Sequence, residues 1–154
     1  MNMITRVLIF LLINFGALGL GSLFTSNGVS SEWYLSLDKA PWTPPGWMFG
    51  LAWTTIMICF SLYMANLWSL EKNKGLLIFL FAVQWVLNVA WNPAFFHYQQ
   101  VNFALVIIVL LTILVGYFLL HYKSILHLKS LYILPYFVWL LIASSLNLYI
   151  VLRN

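Results

Sequence analysis

The sequence predicts an all-α membrane protein, a bundle of five transmembrane helices with a long first loop lying over it as a lid. Five apolar stretches, about residues 4–24, 46–70, 75–98, 101–122 and 130–152, are each long enough to span, since about 20 residues cross a bilayer core. The chain is 64% hydrophobic and 6% charged, against roughly 25% charged in soluble domains. Its charges keep to the connections, and no Asp, Glu, Lys or Arg lies between Lys74 and Lys123. One domain over residues 1–154 is the expectation. The net charge of +4 is therefore loop charge that sets topology, not a footprint for nucleic acid. Cys59 stands alone in an apolar run, which excludes a disulfide within the chain and CxxC chemistry.

The first stretch has the charge of a signal peptide, because Arg6 precedes an apolar run. That run, Val7–Leu23, exceeds the roughly 7–15 residues of a signal core, and no A-x-A site follows, so a retained helix is expected. Ala17 and Gly21 have small-xxx-small spacing, which permits close helix approach but also suits ordinary membrane glycine.

Thr25–Pro45 is long for a connector between membrane helices. Ser30 or Ser31 can cap a short helix with Glu32 in its first turn. Trp33 and Leu37 would share one face of it. Lys39-Ala40-Pro41 would end it, because the residue before proline avoids the helical region. Pro44-Pro45 then opens the second membrane helix. Residues 33–53 hold four of the eight tryptophans and three of the five prolines. Two readings stand: an aromatic belt at the membrane surface, or a stiffened lid on the bundle.

Helix two carries Phe49, Trp53, Phe60 and Met64 near helical spacing. Helix three carries Gln84, Asn88 and Asn92 at successive fourth positions, with Trp91 and Phe95 on the adjoining face and Pro93 to tilt or kink it. Uncharged amides at membrane depth must find partners. They either glue helices together or face a cavity, and three on one stripe favour the cavity. Helix four is plain, with Thr112 and Gly116 its only notch. Helix five repeats the polar-aromatic stripe with Pro135, Tyr136, Trp139, Ala143, Leu146 and Asn147.

Arg6, Lys72, Lys74, Lys123 and Lys129 fall on one side of such a bundle, and Lys39 and Arg153 on the other. The bias puts the N-terminus in the cytoplasm and the long loop and C-terminus outside. It fits a multi-pass protein of a bacterial inner membrane. At 1.5 Å per residue, Trp53 and Trp91 lie about 10 Å inside the outer ends of their helices, and Asn147 about 8 Å. The stripes of three helices therefore overlap in the outer half, beneath the long loop. Such a pocket is apolar with few fixed polar groups, and its indoles offer flat faces to a planar ligand. No metal site is expected. His97 near the outer mouth reads as an interfacial histidine or as a group that could approach a haem iron.

Taken together, these blocks resemble the TspO/translocator protein family, the tryptophan-rich sensory proteins. The resemblance runs from helix one to Arg153. Its blocks are Trp33-Tyr34, Leu37, Lys39, Trp42, Pro44-Pro45, Trp47 and Trp53; then Gln84, Asn88, Trp91, Pro93 and Phe95-Phe96; then Pro135-Tyr136, Trp139 and Leu146-Asn147. It implies a five-helix receptor or sensor that binds tetrapyrroles such as protoporphyrin IX or haem, and also sterols, under the first loop. Neither group would be a required cofactor. By position, Trp53, Asn88, Trp91, Trp139, Ala143 and Leu146 would line the pocket, with Phe49 and Asn147 beside them and Tyr34, Trp42 and Pro45 in the lid. The resemblance also implies a light- and oxygen-dependent degradation of porphyrin through tryptophans matching Trp53 and Trp139. A sterol pattern is expected at Leu146, Tyr149 and Arg153.

Two departures bear on these expectations. The chain reads Lys39-Ala40-Pro41 where the family commonly has Lys-Pro, which shifts the lid bend by a residue. Some bacterial relatives form a homodimer through small residues on helix three; here that face reads Leu77, Ile78, Phe79, Leu80 and Phe81, with only Ala82 small. Transport of porphyrin or sterol is the remaining alternative, but five helices give neither an inverted repeat nor a pair of broken helices. A bare assembly subunit would explain the apolar bulk but not the stacked amides and indoles.

Overall fold

A computed structural model describes residues 1–154. The elements are α1 (Met3–Gly28), α2 (Glu32–Ser36), α3 (Gly46–Leu70), α4 (Lys74–Asn92) running into a π-helical turn (Pro93–His97), α5 (Val101–His121), α6 (Lys123–Leu126), a 3₁₀ stretch (His127–Ile133) and α7 (Leu134–Arg153). Five helical segments are long and apolar enough to cross a membrane: Met3–Gly28, Gly46–Leu70, Lys74–His97, Val101–His121 and Lys123–Arg153. In cross-section α1 packs on α3 and α4, α3 on α7, α7 on α5 and α5 on α4, which closes a ring. One end of the ring carries residues 71–73 and 122–133 and is here the basic end. The other carries residues 29–45 and 98–100 and is the lid end.

Local chemistry starts and stops these helices where backbone groups run out of intrahelical partners. Asn2 caps α1 by accepting the Thr5 amide at 2.8 Å, and Asn73 caps α4 by accepting that of Leu76 at 3.0 Å. The Lys74 ammonium turns back to the Trp68 and Glu71 carbonyls at the end of α3. Pro45 stands immediately before α3, so its missing N–H falls where no helical partner exists. Pro93 acts differently. A proline inside an α-helix removes one hydrogen bond and crowds the carbonyl four residues back. The chain answers by widening into the π turn, in which the Tyr98 amide donates to the Pro93 carbonyl at 2.9 Å.

Three boundaries differ from expectation. α1 runs on to Gly28, four residues past Phe24, so the connector begins at Val29 rather than Thr25. The lid helix stops at Ser36, and Leu37 is already extended, four residues before Pro41 rather than at it. The fifth membrane segment does not begin as one helix near residue 130. The chain turns at His127, runs as 3₁₀ to Ile133, and becomes α-helical at Leu134, with Pro135 in the first turn where it is tolerated.

Packing is uneven along the bundle axis. The basic half is solid: Phe60, Tyr63, Leu77, Leu111, Val115, Phe118 and Tyr136 are all buried. Phe60 meets Tyr136 edge-on at 5.3 Å, and the Tyr63 hydroxyl donates to the Phe118 carbonyl at 2.7 Å. Polar pairs pin the helices together. Asn14 donates to Ser61 at 2.8 Å, Gln84 donates to the Tyr136 hydroxyl at 2.7 Å, and Thr112 meets Ser144 at 3.1 Å. Such pairs contribute about 0.6 kcal/mol each within membranes. Gly116 lies against Phe137, so the notch on α5 seats α7.

On α1 the small residues serve contacts inside the chain. Gly21 abuts the Asn92 amide, and Gly28 lies against Phe96. A β-carbon at Gly28 would stand 2.6 Å from that of Phe96, whereas one at Gly16 would meet nothing within 4 Å. Gly28→Ala is therefore expected to lower stability by about 1–3 kcal/mol through overpacking, and Gly16→Ala to leave it unchanged. Thermal unfolding of the two variants in detergent checks the difference.

Candidate functional site

The lid half of the bundle is hollow. A cavity of about 680 Å³ opens there. Four membrane helices and the lid wall it, and α5 contributes nothing. From α3 come Phe49, Gly50 and Trp53; from α4 and its π turn come Asn88, Trp91, Asn92, Phe95 and Phe96. From α7 come Ala143, Leu146, Asn147 and Ile150, and α1 adds Ala17, Gly21 and Thr25. Tyr34, Lys39, Thr43 and Pro44 close it from the lid.

The amide stripe on α4 divides into three tasks. Gln84 is 1% exposed and bonded to Tyr136, with its own carbonyl oxygen unpartnered, so it belongs to the packing below the cavity. Asn92 reaches the cavity wall but is engaged: it accepts the Thr25 hydroxyl at 2.8 Å and donates to the Asn88 carbonyl at 3.3 Å. The Asn88 side chain is on the cavity wall and is the amide of the three left for a ligand. A further relay crosses the site. The Trp91 indole N–H donates to Asn147 Oδ1 at 3.0 Å, and Asn147 Nδ2 donates to the Val101 carbonyl at 3.0 Å. It holds the Trp91 ring in one orientation across α4, α7 and α5.

The π turn builds the seat of the lid. Phe95 stacks on Trp91 at 5.0 Å with 19° between planes, and Phe96 stands edge-on to Phe95 at 5.0 Å. Onto them come Trp33, 5.7 Å from Phe95, and Tyr34, 5.5 Å from Phe96. Ser31 presents this pair by capping α2: its hydroxyl accepts the Tyr34 amide at 3.2 Å and donates to the Gly28 carbonyl at 2.6 Å. Burial pushes the Tyr34 phenol above its usual range, so it stays a neutral donor. Lys39 Nζ lies 4.7 Å over the Tyr34 ring and donates to the Leu37 carbonyl at 3.4 Å. It is the one charged group on the cavity wall.

The other half of the lid is strapped to α7. Asp38 N donates to Asn154 Oδ1 at 2.9 Å, and Asn154 Nδ2 returns a bond to the Asp38 carbonyl at 3.2 Å. The Trp42 indole donates to the Ser145 hydroxyl at 3.1 Å and stands edge-on to Tyr149 at 5.5 Å. Trp42 is 55% exposed and faces away from the cavity.

The residues predicted for the site thus separate. Tyr34, Phe49, Trp53, Asn88, Trp91, Ala143, Leu146 and Asn147 surround one cavity. Trp42, Pro45 and Trp139 are not on its wall. Trp42 serves the strap, and Pro45 precedes α3 next to the lining residue Pro44. Trp139 is buried behind Phe49, edge-on at 5.3 Å, so the two tryptophans expected to meet one ligand differ: Trp53 faces the cavity and Trp139 stands a layer back. The sterol pattern is split as well. Leu146 faces the cavity, while Arg153 lies over Tyr149 at 5.5 Å on the strap side. His97 packs on Phe24 at 6.1 Å, off the cavity wall. Asn92 is on the wall, as its place on the amide stripe predicts, whereas sequence reasoning did not assign Lys39, Phe95 or Phe96 to it. The signal of Phe95 and Phe96 was present as aromatic positions beside Pro93, but the face they take depends on the π turn.

The cavity lies in a chain with clear relatives. A model of the TspO/MBR family matches residues 8–153. The tryptophan-rich protein TspO of Archaeoglobus fulgidus is 35% identical over 100% of this chain and 97% of its own length. Its namesake in Chlorobaculum tepidum is 36% identical, covering 87% of this chain and 86% of its own. The human translocator protein is 30% identical over 82% of this chain and 77% of its own length.

The relay gives a direct test. Asn147→Ala removes the acceptor of the Trp91 indole and the donor to Val101. Leaving buried groups unpaired costs about 1–3 kcal/mol. The variant is expected to unfold at lower temperature in detergent, and its tryptophan emission to shift as Trp91 loses its fixed partner.

Proposed function

The chain belongs to the TspO/MBR family of integral membrane proteins, and on that premise we propose that its lid-end cavity binds a tetrapyrrole such as protoporphyrin IX or haem in a sensor- or receptor-like role. The observation that carries this reading is the composition of the wall: flat aromatic faces, one free amide at Asn88, and one cation, Lys39, at the lid. A porphyrin is a planar apolar body with carboxylates on one edge. Its rings suit Trp53, Trp91 and Phe49, each aromatic pairing being worth about 0.5–1.5 kcal/mol beyond burial. Its carboxylates suit Lys39, since charge-assisted hydrogen bonds are the strong ones. Such a ligand would lie carboxylate edge toward the lid. A sterol, apolar with one hydroxyl, would use Asn88 and leave Lys39 unused. The basic end then faces the cytoplasm of a bacterial inner membrane, because lysine-rich connections stay inside.

A second reading follows from Trp53. An excited porphyrin against an electron-rich indole can exchange an electron or generate reactive oxygen locally, so light-driven breakdown of the ligand would begin at Trp53. Trp139 would act only through Phe49.

A protoporphyrin IX titration of the detergent-held chain, followed by tryptophan quenching, tests both readings. Binding is expected to saturate and to weaken in Trp53→Phe and Asn88→Leu. Lys39→Gln is expected to weaken protoporphyrin IX by about tenfold, equivalent to about 1.4 kcal/mol, and to leave its dimethyl ester unaffected. Absence of saturable quenching overturns the tetrapyrrole reading. Under illumination in air, bleaching to a distinct product in wild type and not in Trp53→Phe supports breakdown; stable absorbance leaves a sensor.

A further inference from the structure

At the opposite end of the bundle a second cavity, open and of about 570 Å³, lies between the end of α5 and the turn that leads into α7. We propose that it is a site for one anionic phospholipid of the adjoining leaflet, with the phosphodiester headgroup at Lys123 and His127 and the acyl chains along Leu120, Leu128 and Leu131.

The wall is divided by chemistry. Lys123, Ser124 and His127 supply a cation and hydrogen-bonding groups, Ser130 lines the floor with its hydroxyl already engaged, and no carboxylate lines the cavity. The three leucines are 76%, 82% and 55% exposed. Open leucines beside a lysine at a helix end suit the boundary between hydrocarbon and the headgroup layer. Basic pockets on the lysine-rich side of membrane helices are where acidic headgroups dock.

The backbone is bent to form this pocket. His127 has φ 51° and ψ −125°, a region costly for any residue but glycine. The bend is held by the Ser130 hydroxyl, which donates to the His127 carbonyl at 2.6 Å. Below it Tyr122, Leu126 and Ile133 are buried in the solid half of the bundle. The pocket is therefore preformed rather than a mobile loop. A plain connection between α5 and α7 would need no such strain, whereas strained backbone gathers where a ligand is held. Lys72 is on the same end and serves as the control, because it does not line this cavity.

The test uses the full chain in a neutral detergent. Phosphatidylglycerol and phosphatidylcholine with the same acyl chains are added separately, and thermal unfolding is followed beside native mass spectrometry of retained lipid. Phosphatidylglycerol is expected to raise the unfolding temperature and to be retained as a single molecule, and phosphatidylcholine to do neither. Lys123→Gln and His127→Gln together are expected to remove more than half of the shift without changing the lipid-free unfolding temperature. Lys72→Gln is expected to leave the shift intact, and Lys123→Arg to preserve it. Equal effects of the two lipids overturn the proposal, as does an equal loss in Lys72→Gln, which would mark diffuse surface charge. A shift reproduced by inorganic phosphate alone also overturns it, because it would mark a soluble-anion site.

Discussion

Pro93 has no amide hydrogen to give, and within a bilayer no water stands ready to occupy the neighbouring carbonyl. That constraint shapes the lid end. The π turn re-forms the backbone ladder and in doing so advances Phe95 and Phe96 by part of a turn. Phe95 comes to lie on Trp91, and Phe96 reaches α1, where only a glycine at position 28 leaves room. The same two rings receive Trp33 and Tyr34, so the lid has somewhere to rest. One missing donor thus links the helix geometry, the approach of α1 and the roof of the cavity.

The second constraint is the uneven filling of the bundle. Aromatic and aliphatic side chains form one buried cluster through the core of the basic half, and this half can carry the stability of the ring. The lid half can then stay open, because its helices are already fixed in position below. The cavity wall keeps its shape through polar links, Thr25 to Asn92 and Trp91 to Asn147, rather than through a filled core. Hydrogen bonds of this kind orient side chains while leaving space between them, which apolar packing cannot do.

Much of the architecture was legible because hydrophobic length and charge position are read one segment at a time. The bounds of α3 and α5 follow from apolar runs flanked by Pro45, Glu71, Gln100 and Tyr122. A serine cap on α2, at Ser30 or Ser31, was legible for the same local reason, and Ser31 is the one that takes it. The stripe of Gln84, Asn88 and Asn92 was legible as a stripe, but its division into packing, bracing and free groups was not. That division depends on which residue of another helix stands opposite, such as Tyr136 or Thr25. Trp139 shows the same limit: helical spacing placed it on the inward face of α7, and Phe49 from α3 then covered it. The left-handed bend at His127 had no signal, since a histidine gives no warning of a conformation that glycine would announce.

The strap between the lid and α7 has a consequence for the order of assembly. Asp38 and Asn154 are 116 positions apart, and Trp42 and Ser145 are 103 apart. During synthesis the lid leaves the ribosome long before its partners exist. Helices α1, α3 and α4 can insert and pair, and Phe95 and Phe96 can seat Trp33 and Tyr34, while the strap half of the lid is still untethered, and contacts of such sequence separation form late in folding. The roof is therefore the last part of the protein to be made whole, and a nascent chain has walls before it has a closed chamber.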